Sequence, residues 1–257
     1  MKHLPNLLTL ANLFFGCIAI AFILNSQPFL TSYAADEQYW VSCTEQMYWG
    51  CIFIGIAAIC DVLDGLAARA LNVFSPIGKE LDSLADIVTF GVAPSMILFK
   101  MLWGAWMREP NALDVSMIAM SPAFLIACFA ALRLAKFNIS DEQKTSFIGM
   151  PVPAVGIFVA SLALVNWYNP FHIGEKLQGK WTLYLIIAIL CWLMVSRIRF
   201  IKLMPHKWNM TYAWPQLVLV VATAIAIPFL KIAAIPVAFI LYIILSIIYK
   251  YPQAESK

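Results

Sequence analysis

Four aspartates lie in one polar stretch of an otherwise apolar chain, residues 60–86, with the sequence CDVLDGLAARALNVFSPIGKELDSLAD. Asp61 and Asp64 are three positions apart, and Asp82 and Asp86 are four apart. Because an α-helix turns about 100° per residue, each pair falls on one face of its helix. Two adjacent antiparallel helices can therefore point two pairs of carboxylates at each other. Carboxylates so placed can hold cations or accept a proton.

The energy of these aspartates indicates what must accompany them. An ionised aspartate deep in a membrane span costs about 2.5–3.5 kcal/mol. Four that face and repel one another need cations between them, and Arg69 supplies only one positive charge. One or two hard divalent cations would suffice, and all-oxygen sites suit Mg²⁺, Mn²⁺ or Ca²⁺. Capping of helix ends near the interface would explain one such aspartate, but not four on two facing surfaces.

Small residues share the faces of the aspartates. Gly65 and Ala68 lie on the face of the first pair, and Gly78 lies on the face of the second. They leave room for a bulky ligand close to the backbone. Arg69, on the first face, would meet a phosphate group. The site is thus predicted to bind a large anionic ligand together with metal ions.

The rest of the chain must hold these helices in a membrane. The 257 residues are 62% hydrophobic and only 12% charged, whereas soluble domains carry about 25% charged residues. We predict an all-α polytopic membrane protein with one domain, residues 1–257, in which the core covers about 1–200 and additional helices about 214–249. About eight transmembrane helices are expected from the apolar runs and the prolines between them, at residues 7–27, 46–71, 77–103, 115–137, 150–168, 181–197, 214–230 and 232–249.

The N-terminus and the cysteines carry less information. The apolar run after Lys2 is too long for a signal peptide and lacks a small-residue cleavage site, so we interpret it as a retained first helix. The six cysteines have no metal-ligand spacing, and all but Cys43 lie in apolar segments. We interpret them as small buried hydrophobic residues. We expect no nucleic-acid partner.

Orientation follows from the lysines and arginines. With the N-terminus inside, 12 of the 17 cations fall on the inner side and 5 on the outer side, which favours both termini in the cytoplasm. Residues 60–86 then form a cytoplasmic hairpin, in which Ser75 is placed to cap the next helix and Pro76 to begin it. The basic segment 197–208 fits anchoring on anionic headgroups, with substrate binding as the alternative.

The spacing of eight residues resembles the signature of the CDP-alcohol phosphotransferases without a departure: Asp61-x-x-Asp64-Gly65-x-x-Ala68-Arg69, eight residues, then Gly78-x-x-x-Asp82-x-x-x-Asp86. The likeness extends over most of the chain. Within this family, the chain most resembles the bacterial, membrane-integral phosphatidylserine synthases. Five further stretches carry that likeness: LPNLLTLANLFFGCIAI, SPIGKELDSLADIVTFGVAPS, ALRLAKFN, FIGMPVPA and LMVSRIRF.

The resemblance implies a particular architecture and a set of residue roles. It implies six core helices, here with two more, a homodimer, and a cytoplasmic cavity open sideways to the inner leaflet of a bacterial membrane. Asp61, Asp64 and Asp82 would hold two metal ions, and Asp86 would complete the second metal's shell and act as general base. The implied CDP-lipid site consists of Gly65, Ala68 and Gly78 around the cytidine, Arg69 at the diphosphate, and Pro5, Thr9 and Asn12 near the nucleotide.

Helix initiation and interhelical hydrogen bonding are an equally good interpretation of Pro5, Thr9 and Asn12. The implied reaction joins CDP-diacylglycerol to L-serine and releases CMP. Serine needs a cation for its carboxylate and hydrogen-bond acceptors for its ammonium. The candidates are Arg133, Lys136, Asn138, Ser83 and Thr89; for the first three, anchoring of the helix end at the membrane surface is an equally good interpretation.

Three alternatives remain at this point. The acceptor could be glycerol 3-phosphate, inositol phosphate or choline, although a phosphorylated acceptor would want more cations than Arg133 and Lys136. Membrane prenyltransferases also use aspartates with Mg²⁺ and diphosphate, but on well-separated helices. A cation transporter would explain the intramembrane acids, but not the small residues and Arg69 beside them.

Overall fold

A computed structural model describes residues 3–27, 29–32, 39–42, 44–73, 75–110, 114–139, 147–201 and 210–249. Its α-helices are α1 (Leu4–Asn25), α2 (Glu45–Ala70), α3 (Pro76–Asp86), α4 (Ala93–Trp106), α5 (Leu125–Ile139), α6 (Val152–Tyr168), α7 (Ile173–Leu177), α8 (Lys180–Val195), α9 (Met210–Leu230) and α10 (Ala234–Ile248). A π-helical turn, Ile87–Val92, joins α3 to α4. Short 3₁₀ segments occur at Met117–Phe124, Pro170–His172 and Lys231–Ala233.

Each of the eight predicted spans corresponds to an apolar helix in the described part of the chain, which confirms the all-α membrane class. By length and composition, five stretches are candidate spans, and the bent pair α6 and α7 makes a sixth. The count falls short of eight at two places. Helix α8 has only 16 residues. The stretch Trp214–Ile248 counts as one span but contains both α9 and α10.

Helices α9 and α10 fold back on each other as an antiparallel pair. The rings of Trp214, near the start of α9, and Tyr249, just after α10, lie 5.9 Å apart. Helix α10 is attached to the rest of the protein at Ile201. The Tyr242 hydroxyl donates to the Ile201 carbonyl at 3.0 Å, and the Ser246 hydroxyl accepts from the Ile201 amide at 3.3 Å. The two additional helices are therefore joined to the core near the basic segment, of which only 197–201 is described.

Two short antiparallel strand pairs supplement the helices. Strand β1 (Phe29–Ser32) pairs with β2 (Tyr39–Ser42) between α1 and α2. Strand β3 (Phe147–Ile148) pairs with β4 (Arg199–Phe200) and so links the segments before α6 and after α8. Neither was predicted, because runs of two to four residues carry little periodic signal.

The turn between α2 and α3 has the predicted local structure. The Ser75 hydroxyl accepts a hydrogen bond from the Gly78 amide at 3.0 Å, and Pro76 is the first residue of α3. A capping hydroxyl satisfies one amide that the helix leaves unpaired. The cap thus fixes the start of the helix that carries Asp82 and Asp86.

Small residues allow helices to approach one another in the centre of the protein. A Cβ on Gly16 of α1 would lie 3.1 Å from the Cα of Thr89, and a Cβ on Gly156 of α6 would lie 3.0 Å from the Cα of Phe90. Membrane helices use such small residues because close backbone approach maximises van der Waals contact. Both contacts fall on the π-helical turn. The segment after Asp86 is therefore packed between α1 and α6.

A different polar group closes the other end of α1. Lys100 of α4 is buried, and its ammonium donates to the carbonyls of Leu24 at 3.0 Å and Ser26 at 2.7 Å. A cation suits the carbonyl end of a helix dipole. Lys100 is one of the 5 cations that fall on the outer side in the orientation predicted from the sequence. Its contacts place it at the end of α1 opposite to the aspartates, which bond residues of the first turns of that helix.

Candidate active site

The aspartates of α2 and α3 meet as the helical phase predicted. Asp61, Asp64 and Asp82 can each contribute one carboxylate oxygen to a group whose members lie within 4.8 Å of one another. Asp86 is buried one turn deeper, within electrostatic reach of all three. The four carboxylates thus form one acidic cluster between two neighbouring helices.

The donor set fits a hard divalent cation. All the converging atoms are carboxylate oxygens, which is the ligand chemistry of Mg²⁺, Mn²⁺ and Ca²⁺. Oδ1 of Asp82 is buried and has no hydrogen-bond partner among the described residues. A buried carboxylate oxygen in that state is costly, and a metal ion would satisfy it. The cluster could therefore hold at least one metal ion, with Asp61, Asp64 and Asp82 as its ligands.

Helix α1 supplies hydrogen bonds to both halves of the cluster. The Thr9 hydroxyl donates to Oδ2 of Asp64 at 2.7 Å, and the Asn12 amide donates to Oδ1 of Asp86 at 3.3 Å. Thr9, Asn12 and Pro5 are all buried along one side of α1. Of the two interpretations made from the sequence, interhelical hydrogen bonding is the one seen for Thr9 and Asn12.

The small residues lie on the same two helices as the aspartates of the cluster. A Cβ placed on Gly65 would meet only the guanidinium of Arg69, at 3.6 Å. Arg69 is exposed, and its Nε donates to the Gly65 carbonyl at 2.9 Å, so its side chain folds back over this glycine. Ala68 is half-buried on the same helix. These residues leave open the face of α2 that the sequence predicted for a ligand.

Gly78 faces a residue that the sequence analysis did not single out. A Cβ on Gly78 would lie 3.0 Å from Oδ1 of Asn6. Asn6 follows Pro5 at the start of α1 and is half-buried. An amide side chain beside Gly78 is suited to hydrogen-bonding a nucleotide. Its position there depends on how α1 crosses α3. No local pattern around Asn6 could have indicated it.

The candidate residues on α5 divide by burial. Arg133 is 6% exposed and lies within electrostatic reach of Asp86 and of Tyr242 on α10. Lys136 is exposed. Asn138 donates its amide to the Ser83 hydroxyl at 2.9 Å. Arg133 and Asn138 thus lie near α3, which carries Ser83 and Asp86, whereas Lys136 is at the surface.

Thr89 has a contact other than the predicted one. Its side chain is completely buried, and its hydroxyl donates to the backbone carbonyl of Asn12 at 3.3 Å. It lies in the π-helical turn that begins directly after Asp86. π-Helical turns occur frequently at functional sites. This one was not predicted, because apolar periodicity does not distinguish one π-helical turn from an α-helix.

The fold and the site define a membrane-integral, all-helical protein with a carboxylate cluster on two adjacent helices, suited to binding metal ions and an anionic ligand. The family model for CDP-alcohol phosphatidyltransferase matches residues 2–248. The chain belongs to this family, which confirms the resemblance seen in the motif.

Curated relatives agree with this assignment. The chain is 33% identical over 247 residues to a CDP-diacylglycerol–serine O-phosphatidyltransferase of Helicobacter pylori (strain ATCC 700392 / 26695), covering 95% of this chain and 89% of the relative. It is 31% identical to the enzyme of that name from Bacillus subtilis (strain 168), covering 81% of this chain and 100% of the relative. An archaetidylserine synthase of Methanothermobacter thermautotrophicus is 31% identical over 121 residues, 46% of this chain and 48% of the relative.

Proposed function

We propose that the protein transfers the phosphatidyl group of CDP-diacylglycerol to L-serine, giving phosphatidylserine and CMP. The observation that carries the proposal is the convergence of Asp61, Asp64 and Asp82 with Asp86 one turn deeper, in a chain of this family. Serine as the acceptor is supported by the names of the relatives that cover most of the chain.

The aspartates have distinct roles in this proposal. Asp61, Asp64 and Asp82 would hold two divalent metal ions, Mg²⁺ or Mn²⁺, and Asp86 would complete the shell of the second. When bound, such ions neutralise charge on the diphosphate as CMP leaves. Asp86 accepts the proton of the serine hydroxyl. The serine oxygen forms its bond to the lipid-side phosphorus while the bond from that phosphorus to the bridging oxygen breaks, and CMP leaves with the electron pair.

The nucleotide lies along α2 and the start of α3. Gly65, Ala68 and Gly78 leave space for the cytidine, because a larger side chain would fill the faces beside the aspartates. Arg69 reaches the diphosphate with a planar guanidinium suited to two phosphate oxygens. Its Nε donates to the Gly65 carbonyl, and its exposure allows the side chain to reorient toward a ligand.

The serine acceptor binds at the end of α5 beside α3. Burial supports a substrate-binding role for one residue of this region. Arg133 is buried near Asp86, where its guanidinium is placed to bind the serine carboxylate. Oδ1 of Asn138 is buried without a hydrogen-bond partner among the described residues, so it can accept from the serine ammonium. We assign exposed Lys136 to membrane anchoring.

The resemblance and the charge distribution extend the proposal to the membrane. We propose a homodimer in the bacterial cytoplasmic membrane, with both termini and the aspartates on the cytoplasmic side. Four of the described cations support this orientation. Arg69, Lys79 and Arg133 lie at the aspartate end, and Lys100 lies at the opposite end of α1, where its ammonium bonds the Leu24 and Ser26 carbonyls.

One assay tests the reaction. Purified protein in detergent is incubated with CDP-diacylglycerol, Mn²⁺ or Mg²⁺, and one acceptor at a time, and released CMP is measured. Serine-dependent CMP together with labelled phosphatidylserine is expected. CMP released with glycerol 3-phosphate, inositol phosphate or choline, but not with serine, would retain the chemistry and change the acceptor. No CMP with any alcohol would overturn the proposal and favour prenyl transfer or cation transport.

A further inference from the structure

We propose that α1 is a positioning helix for the acidic cluster: Thr9 orients Asp64 for metal binding, and Asn12 orients Asp86 for proton transfer. Neither residue then contacts the nucleotide. The inference rests on the roles proposed for the two aspartates. It differs from the role that the resemblance implies for Thr9 and Asn12, and it assigns the first transmembrane helix to catalysis.

The Thr9 hydroxyl has two acceptors within hydrogen-bond distance. It lies 3.1 Å from the Pro5 carbonyl, four residues earlier, and 2.7 Å from Oδ2 of Asp64. Threonines within helices commonly bond the carbonyl four residues back. A hydroxyl has one proton, and here the shorter distance and the charged acceptor both favour Asp64. The bond holds Oδ2 of Asp64 and so limits rotation of the whole carboxylate, which belongs to the group that could bind a metal ion.

Asn12 bonds two residues that are one turn apart, Asp86 at the end of α3 and Thr89 in the π-helical turn that follows. Its amide donates to Oδ1 of Asp86, and its backbone carbonyl accepts from the Thr89 hydroxyl. Asn12 is fully buried. Gly16 permits the close approach, because a Cβ there would overlap the Thr89 hydroxyl oxygen. The π-helical turn and α1 thus hold the Asn12 amide against Oδ1 of Asp86.

Such bonds matter because a carboxylate without them samples several rotamers. Groups that hydrogen-bond a metal-ligating side chain fix its orientation, and their loss typically weakens metal binding or activity about 10–100-fold. Repulsion among the four carboxylates favours rotamers that turn them away from one another. Bonds from a third helix oppose that movement while adding no charge.

The Thr9 part is tested by direct binding of Mn²⁺ alone, measured from the electron paramagnetic resonance signal of free Mn²⁺. Thr9→Val keeps the shape and removes the hydroxyl, whereas Thr9→Ser keeps the hydroxyl. We expect Thr9→Val to weaken Mn²⁺ binding about 10-fold or more and Thr9→Ser to stay within about twofold of the wild type, since the donor is kept. Equal binding by the wild type and Thr9→Val would overturn the role. The readout requires no serine transfer, so it is independent of the proposed reaction.

The Asn12 part is tested by separating turnover from nucleotide binding. Asn12→Ala is expected to lower kcat about 10–100-fold while the affinity for CDP, measured by calorimetry, stays within about twofold, because no nucleotide contact is lost. Asn12→Gln, which keeps the amide but displaces it, should give the same pattern if Asn12→Ala fails to fold.

The matched control for Asn12 is Leu10→Ala on the same helix. The Leu10 side chain is exposed and points away from Asn12, because two residues correspond to about 200° of helical turn. Leu10→Ala should therefore leave kcat unchanged. A large loss of CDP affinity in Asn12→Ala with kcat retained would assign Asn12 to the nucleotide and overturn the proposal.

Discussion

The Asn138 amide of α5 donates to the Ser83 hydroxyl of α3 at 2.9 Å, one turn before Asp86. Lys79, a further turn back, donates its ammonium to the backbone carbonyl of Asn138 at 2.9 Å. Ser83 in turn donates to the Lys79 carbonyl at 3.2 Å. These bonds attach the end of α5 to α3. They therefore hold the proposed serine site next to the proposed base, Asp86.

Breaking this attachment should weaken serine binding. Asn138→Leu keeps much of the volume and removes the amide, and we expect KM for serine to rise about 10-fold, the effect of about 1.4 kcal/mol from a lost hydrogen bond. The KM for CDP-diacylglycerol should change little, because α2 supplies most of that site. Steady-state CMP release at varied serine measures both. An unchanged KM for serine would remove Asn138 from the acceptor site.

Arg133 and Lys136 form a matched pair for testing carboxylate recognition. Hydrogen bonds to charged groups contribute about 1.5–3 kcal/mol, so Arg133→Met should raise KM for serine about 10–100-fold. Lys136→Met removes an exposed cation from the same helix, and exposed charge pairs contribute at most about 1 kcal/mol. We therefore expect a change of a few-fold at most. Equal changes of KM for serine in the two variants would contradict carboxylate binding by Arg133 and favour a role in membrane anchoring.

Asp86→Asn tests the general base. The amide is close in size to the carboxylate but cannot accept the serine proton, so turnover should be abolished. Substantial binding of CDP-diacylglycerol should survive, because Asp61, Asp64 and Asp82 remain. CMP release and equilibrium binding of the CDP-lipid measure the two properties in the same preparation. Normal turnover in this variant would exclude Asp86 as the base.

Substitutions at two glycines distinguish the effect of close packing on stability from the effect of helix propensity. A Cβ at Gly16 would overlap Thr89, whereas a Cβ at Gly55 would meet no atom within 4 Å. We expect Gly16→Ala to destabilise the protein by about 1–3 kcal/mol through overpacking. Gly55→Ala should be neutral or stabilise by up to about 1 kcal/mol, because alanine favours a helix. Thermal unfolding in detergent compares them. Equal stability of the two variants would contradict the close approach of α1 to the π-helical turn.

The sequence could predict what depends on local periodicity. The phase of Asp61 and Asp64, and that of Asp82 and Asp86, follows from the turn of a helix. The Ser75 cap depends on a residue three positions away. The helices themselves follow from apolar composition, because a backbone in lipid has to bond internally. The acidic cluster and the membrane class were therefore predicted correctly, and α8, with 16 residues, agrees closely with the span expected at 181–197.

Contacts between helices far apart in the chain were decided only by the tertiary structure. Thr9 and Asp64 are 55 residues apart, and Asn12 and Asp86 are 74 apart. From the sequence, nucleotide binding and interhelical bonding were equally good interpretations of Thr9 and Asn12. The sequence did not distinguish Arg133 from Lys136, whereas the fold buries Arg133 and leaves Lys136 exposed. Helical phase states which face a side chain is on, but the crossing of helices determines what that face meets.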